Sequence, residues 1–229
     1  MNSRYTERYD SFEEIKYYGE YIGSSSDPNA TDTHVLNKFD KLLLSSLKDG
    51  GIHDKQLKFV ELGCEASCRI YFLLKRPMRL SRIDKYYGVD LSDVIKLSHI
   101  EHNEDVILTD DVFNIKEENI DVFYANAVLN FLINPYDSLT HILNMSPKLI
   151  HIHRIPCTTS EEFATIQLGC QNPPSRSRTW FFNNQKLINL LDKNNYEMIY
   201  FESEWDRTLL ESEGFDDCSR NNFIFRKVK

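Results

Sequence analysis

Five short apolar runs between residues 57 and 156 constrain this chain more than any other feature. They are LKFVELG (57–63), KYYGVDLS (85–92), DVILTDDVF (105–113), IDVFYANAVLNFL (120–132) and PKLIHIHRIP (147–156), each of strand length and the last closed by Pro156. Helical stretches separate them. ASCRIYFLLKR (66–76) puts Ala66, Ile70, Leu73 and Leu74 on one stripe, and Pro77 stops it. DVIKLSHIEHN (93–103) reads as a short helix. NPYDSLTHILNM (134–145) offers Asn134 as N-cap and Pro135 at the first helical position, the favoured start. Strands alternating with helices in units of this length form a parallel sheet covered on both faces.

The two ends of the chain depart from that rhythm. Residues 1–50 predict a helical segment of their own. SFEEIKYYGEYIG (11–23) has Ser11 and Glu14 as a capping box, and THVLNKFDKLLLSSL (33–47) carries Val35, Phe39, Leu42, Leu43 and Leu47 at helical spacing. Near the C-terminus, NNQKLINLLDKNNY (183–196) is a helix. YEMIYFESEW (196–205) and NNFIFRKVK (221–229) then follow as strands with no helix between them, so they should pair antiparallel. The reading is a three-layer α/β sandwich of Rossmann-like type. Its sheet has seven mostly parallel strands and ends in an antiparallel C-terminal pair. Residues 51–229 form the main domain, with 157–183 as an insertion too long for a simple connection.

Charge and cysteine count narrow the function classes. The formal net charge is -8 and the cations are scattered, which argues against a nucleic-acid partner. No apolar run approaches the ~18 residues of a membrane helix, and the first twenty residues lack a secretory pattern. The expectation is a cytoplasmic protein. Five cysteines, an odd number, read as reduced thiols. Cys64 and Cys68 have no second pair at matching distance, and a zinc site needs about four ligands, so no metal is expected.

The turn after the first run carries the chemistry. In an open α/β sheet, ligands bind beyond the carboxyl ends of the strands, and Gly63 stands there. Glu65 occupies a place where a pyrophosphate would need amides and no negative charge, which disfavours NAD, FAD and ATP. S-adenosylmethionine (SAM) has no phosphate and carries a sulfonium cation, which acidic groups suit. Glu61 is placed to hold its ammonium group. Asp90 ends the second run, where a carboxylate accepts ribose hydroxyls. Asp110 and Asp111 end the third, near an adenine edge.

VELGC, YYGVDLS and DVFYANAVLNFL resemble the cofactor motifs of class I SAM-dependent methyltransferases. NAVLNFLINPYDSL, LIHIHRIPCT, IQLGCQNPP and TWFFNNQKLINLLDKNNYEMI resemble, more narrowly, a family of methyltransferases found with surface-polysaccharide genes. The resemblance spans about residues 57–228. It implies SAM as cofactor, with S-adenosylhomocysteine (SAH) as product. It places Glu61, Gly63 and Cys64 at the methionine turn, Asp90 at the ribose, and Leu91 against the adenine. Asp110, Asp111 and Val112 match the adenine edge, and Ala125 and Asn126 face the cofactor after the fourth strand. The chain departs from the common turn at Glu65 and Ser67.

Methyl transfer to a hydroxyl needs an aligned acceptor and a base. By strand alternation His151 and His153 share one face, and His153 is nearer the strand's carboxyl end. Arg154 is placed to hold an acidic or phosphorylated acceptor. The 157–183 insertion reads as a lid on the acceptor side, with Gln167, Arg176, Arg178 and Trp180 as substrate contacts. Tyr17, Tyr18 and Tyr21 would close the cofactor side. The expected partner is a small or sugar-linked acceptor, with a homodimer as the expected assembly. The competing reading is a binding or scaffold protein on a methyltransferase-like fold, with the altered turn at Glu65 and Ser67 marking lost catalysis. A separate reading of His151 and His153 has both as packed, hydrogen-bonded sheet residues.

Overall fold

The structure, a computed structural model, describes residues 4–5, 8, 10, 36–52, 55–75, 82–98, 100, 103–168, 176–204 and 214–228. The expected helix at 11–23 and its three tyrosines lie outside the described residues. The strands are β1 (Arg4–Tyr5), β2 (Gln56–Leu62), β3 (Arg82–Val89), β4 (Val106–Thr109), β5 (Val122–Asn126), β6 (Leu149–Thr158), β7 (Phe163–Leu168), β8 (Arg176–Asn183), β9 (Tyr196–Glu204) and β10 (Cys218–Lys227). The helices are α1 (Lys38–Asp49), α2 (Arg69–Lys75), α3 (Ser92–Ile95), α4 (Pro135–Asn144) and α5 (Asn184–Lys193).

Seven strands lie in the order β4-β3-β2-β5-β6-β10-β9. Those from β4 to β6 are parallel, and β10 is antiparallel to both β6 and β9. This is the expected architecture, a Rossmann-like sheet with its antiparallel pair at the C-terminal end. The sheet is larger than expected, because 157–183 is not a loop alone. β7 and β8 form an antiparallel hairpin there, and β1 pairs with β7. β8 joins the sheet by pairing with the last residues of β6, Cys157 and Thr158.

β6 therefore runs straight through Pro156, which was expected to end it. Its parallel pairing with β5 stops at His153 and that with β8 begins at Cys157. Pro156 falls in the gap, where its missing N–H leaves no parallel ladder broken.

Alternation along β2 sorts the core into two layers. Val60 and Leu62 pack with Phe123, Ile150 and Ile152 under α4 and α5. Leu57 and Phe59 pack with Leu43, Leu47, Tyr86 and Tyr124 under α1 and α2. Helix starts differ from the sequence reading for local reasons. Asn37 and Asp40 form a reciprocal capping box that fixes the start of α1 at Lys38. α2 begins at Arg69 and not at Ala66, because Glu65 and Cys68 both have left-handed backbones (φ 55° and 41°). α4 starts at Pro135 as expected, although Asn134 makes no side-chain cap.

Candidate functional site

A cleft of about 340 Å³ opens at the carboxyl ends of β2, β3, β4 and β5. Gly63 and Glu65 form one wall, and Val89, Asp90, Leu91 and Val94 another. Asp110 stands at the end of β4. Asn126, Ala127, Val128, Phe131 and Leu132 follow β5, and Ser177 and Arg178 come across from the β7–β8 hairpin. Three carboxylates thus sit over a largely aliphatic floor.

Of the expected cofactor residues, Gly63, Asp90, Leu91, Asp110 and Asn126 come together in this cleft. Asp90 accepts hydrogen bonds from the backbone N–H groups of Glu65 and Leu91, both at 2.8 Å. Partial burial raises its carboxyl above the usual range, while those two amides pull it back down. A carboxylate has about four lone-pair positions, so two amides leave room for further donors. Leu91 is 51% exposed, an apolar side chain left open at the rim.

The remaining cofactor candidates point elsewhere. Glu61 faces the α1–α2 layer, because alternation along β2 turns it away from Leu62. It is buried there, takes a hydrogen bond from Tyr86 Oη at 2.5 Å, and is pushed well up by burial. Cys64 is buried in the same layer. Val112 and Ala125 belong to the opposite core layer. Asp111 caps the short 3-10 turn 112–114 by accepting from the Phe113 N–H at 2.9 Å.

Gly63 has a different reason to be glycine than close approach to a ligand. Its φ is +73°, and a Cβ there would lie 2.9 Å from Cβ of Val128. The missing side chain lets the turn after β5 press against the turn after β2.

The histidines share a face, as alternation requires, but that face is covered by α1. Both are fully buried (0% exposed), and neither lines the cleft. They form a chain. Ser46 Oγ lies 2.9 Å from His151 Nε2, and His151 Nδ1 lies 3.1 Å from His153 Nε2. Ser46 spends its own proton on the Leu43 carbonyl, so it accepts from His151. That fixes Nε2–H on His151, and His151 Nδ1 must then accept from Nε2–H of His153. His153 Nδ1 is left as a bare lone pair with no hydrogen-bond partner among the described residues. The His153 ring packs on Phe39 of α1 at 4.9 Å. Burial, helped by the Arg154 and Lys38 charges, pushes His153 down to about 3. Burial likewise holds His151 well below its ordinary range. As placed, both are neutral, packed residues and not bases open to a substrate.

Arg154 is exposed beside the cleft, and its Nε donates to Asn126 Oδ1 at 2.7 Å. Of the substrate candidates, Arg178 reaches the cleft. Gln167, Arg176 and Trp180 lie on the hairpin outside it, with Gln167 paired to Tyr5 and Arg176 to Leu168. Val128, Phe131, Leu132 and Ser177 line the cleft although nothing in the sequence singles them out. The first three belong to an irregular turn, whose residues follow no period. Among the described residues no group of three or more His, Cys, Asp or Glu could hold a metal. Among the described residues no helix is long and apolar enough to cross a membrane.

No protein-family description and no curated protein matches the chain. Solved structures do. The magnesium protoporphyrin IX methyltransferase (ChlM) of Synechocystis PCC 6803, with bound SAH, superposes at TM-score 0.53 and 11% identity over 87% of this chain and 92% of its own. A SAM-dependent methyltransferase from Clostridium acetobutylicum matches at TM-score 0.52 and 8% identity, covering 82% and 90%. The [4+2]-cyclase SpnF matches at TM-score 0.52 and 12% identity, covering 93% and 87%. At these identities the likeness is one of fold. A cyclase among methyltransferases makes the site, and not the fold, the place to argue chemistry.

Proposed function

We propose that the chain is a SAM-dependent methyltransferase whose cleft holds the cofactor, with SAH as product. The observation that carries this reading is the Asp90 carboxylate, held open to an aliphatic cleft by two backbone amides. The donor set fits the cofactor. Asp90 would take the ribose hydroxyls, and Leu91 and Val94 would pack on the adenine. Glu65 and Asp110 would supply negative charge and no amide cradle for phosphate. When bound, SAM supplies a methyl group on a cationic sulfur. Everything else falls to this chain's own residues: orienting the acceptor and excluding water.

On this reading the acceptor oxygen belongs to a sugar or phosphate group on a small or nucleotide-linked molecule, made in surface-glycan synthesis. Arg154 and Arg178 would hold it, and the β7–β8 hairpin would act as the lid, since Ser177 and Arg178 already form part of the cleft wall. Self-association would run through β9, an edge strand. One observation favours binding without catalysis: both histidines are sealed under α1.

Isothermal titration with SAM and SAH tests the central point. Binding is expected, with a loss of about tenfold or more in Asp90→Ala, where the charged hydrogen bonds are removed. Absence of heat with either ligand at about millimolar concentration removes the methyltransferase reading.

A further inference from the structure

We propose that Arg154 is an anchoring residue for an oxyanion, a phosphate or carboxylate group carried by the molecule that enters the cleft. The proposal rests on the methyl-transfer reading only for what happens to that group afterwards.

The argument starts from a break in the period of β6. Ile150 and Ile152 face the α4–α5 core layer, and so do Ile155 and Cys157. Even positions give way to odd ones between Ile152 and Ile155. The pairing with β10 has the same break. Ile152 opposes Phe223 and Ile155 opposes Asn221, so two residues of β6, His153 and Arg154, face the single residue Asn222. This is a β-bulge, a device that re-aims a side chain at the end of a ladder. Without it, Arg154 would point to the side opposite His153. With it, the Arg154 guanidinium lies 5.5 Å from the centre of the Phe39 ring, the ring that also covers His153.

The bulge has a local cost. Arg154 has φ +54°, a left-handed conformation that costs a non-glycine residue of order 1 kcal/mol. Side chains hold it there. Asn222 Oδ1 accepts the Arg154 N–H at 2.8 Å in place of a ladder bond. Asn126, a cleft residue, takes Nε at 2.7 Å. The neighbouring carbonyl of His153 accepts the N–H of Ala127, another left-handed cleft residue, at 2.9 Å.

These contacts fix the plane of the guanidinium while using only its Nε. The two terminal nitrogens have no hydrogen-bond partner among the described residues, and a planar fork of this kind matches a carboxylate or phosphate edge. The like charge of Arg220 acts on Arg154, and Glu65 and Glu204 are the acidic groups that offset it. An ionised oxygen already carries its nucleophilic electron pair, so the sealed, neutral state of His151 and His153 is no obstacle for such an acceptor.

Titration calorimetry of the full chain with inorganic phosphate, and separately with acetate, tests this at fixed ionic strength in chloride. One of the two anions is expected to bind the wild type, and the tighter one identifies the acceptor class. Arg154→Ala and Arg154→Lys should each weaken it about tenfold, the lysine variant because it keeps the charge and loses the fork. SAH affinity in the same proteins should fall by clearly less than the anion affinity does. Equal anion affinity in wild type and Arg154→Lys overturns the proposal, as does a wild type that binds SAH and neither anion. Anion binding that depends on Arg154 in a protein that ignores SAH leaves this site standing and removes the methyl-transfer reading. Should Arg154→Ala fail to fold, the lysine variant decides alone.

Discussion

Four of the left-handed residues, Gly63, Glu65, Ala127 and Arg154, stand where β2 and β5 end or inside the bulge of β6. Strained backbone persists where the surroundings over-determine it, and here it surrounds the cleft. Glu65 illustrates the point. Its charge disfavours a phosphate ligand on sequence grounds, and its left-handed backbone also presents its N–H to Asp90. The histidines make a prediction at this scale. Both are held below their ordinary range by burial, so at falling pH the unfolded chain takes up protons that the folded chain refuses. Their contribution to stability is complete above about pH 6.5 and is lost as pH drops below it, at about 1.4 kcal/mol per pH unit for each group. Urea unfolding from pH 7 to 5 should show this slope, and His153→Asn should lower it by one histidine's share. A slope unchanged in that variant would sink the account. The shared face of the two histidines was legible in the sequence. Their burial was not, because α1, more than a hundred residues away in the chain, supplies the cover.

At the level of elements, α1 is what converts a strand end into a sealed core. It lays Phe39, Leu43, Ser46 and Leu47 over β6 and the centre of the sheet. Its first turn is tied to α2 through Asp40, which is fully buried and takes two hydrogen bonds from Arg69 at 2.8 and 2.5 Å. Removing one partner of a buried pair strands the other charge, and Arg69 is 30% exposed on its side chain, which softens the loss. Asp40→Ala is expected to cost about 2–4 kcal/mol in chemical denaturation. Asp40→Asn, which keeps one acceptor, should cost less. A loss under about 0.5 kcal/mol in both would mean that α1 is held by its apolar face alone. Asp40 and Arg69 lie in unrelated stretches of sequence, so no local pattern marks the pair. The same holds for the β7–β8 hairpin. Its length marked it as an insertion, while its docking depends on non-local contacts such as Asn130 Nδ2 donating to Thr179 Oγ1 at 2.6 Å.

Across the whole molecule, the sheet has an edge at β9, which pairs only with β10 among the described residues. Met198, Ile199 and Phe201 are 42%, 39% and 47% exposed on that edge. Exposed edge strands with apolar side chains are templates for association. Sedimentation velocity should therefore detect self-association that Met198→Lys reduces, with stability changed by no more than about 0.5 kcal/mol. A wild type that stays monomeric removes the homodimer. The sequence by itself determined the strand–helix alternation, the parallel centre with its antiparallel end, and the position of the cleft. Periodicity, turn glycines and strand-end acids are written locally and need no partner to be read. Only the tertiary structure decided which acids open into the cleft, which histidines are sealed and where Arg154 points. Those outcomes depend on which distant element lies across each strand, and a one-residue bulge set by β10 reverses a face that β6 alone would assign the other way.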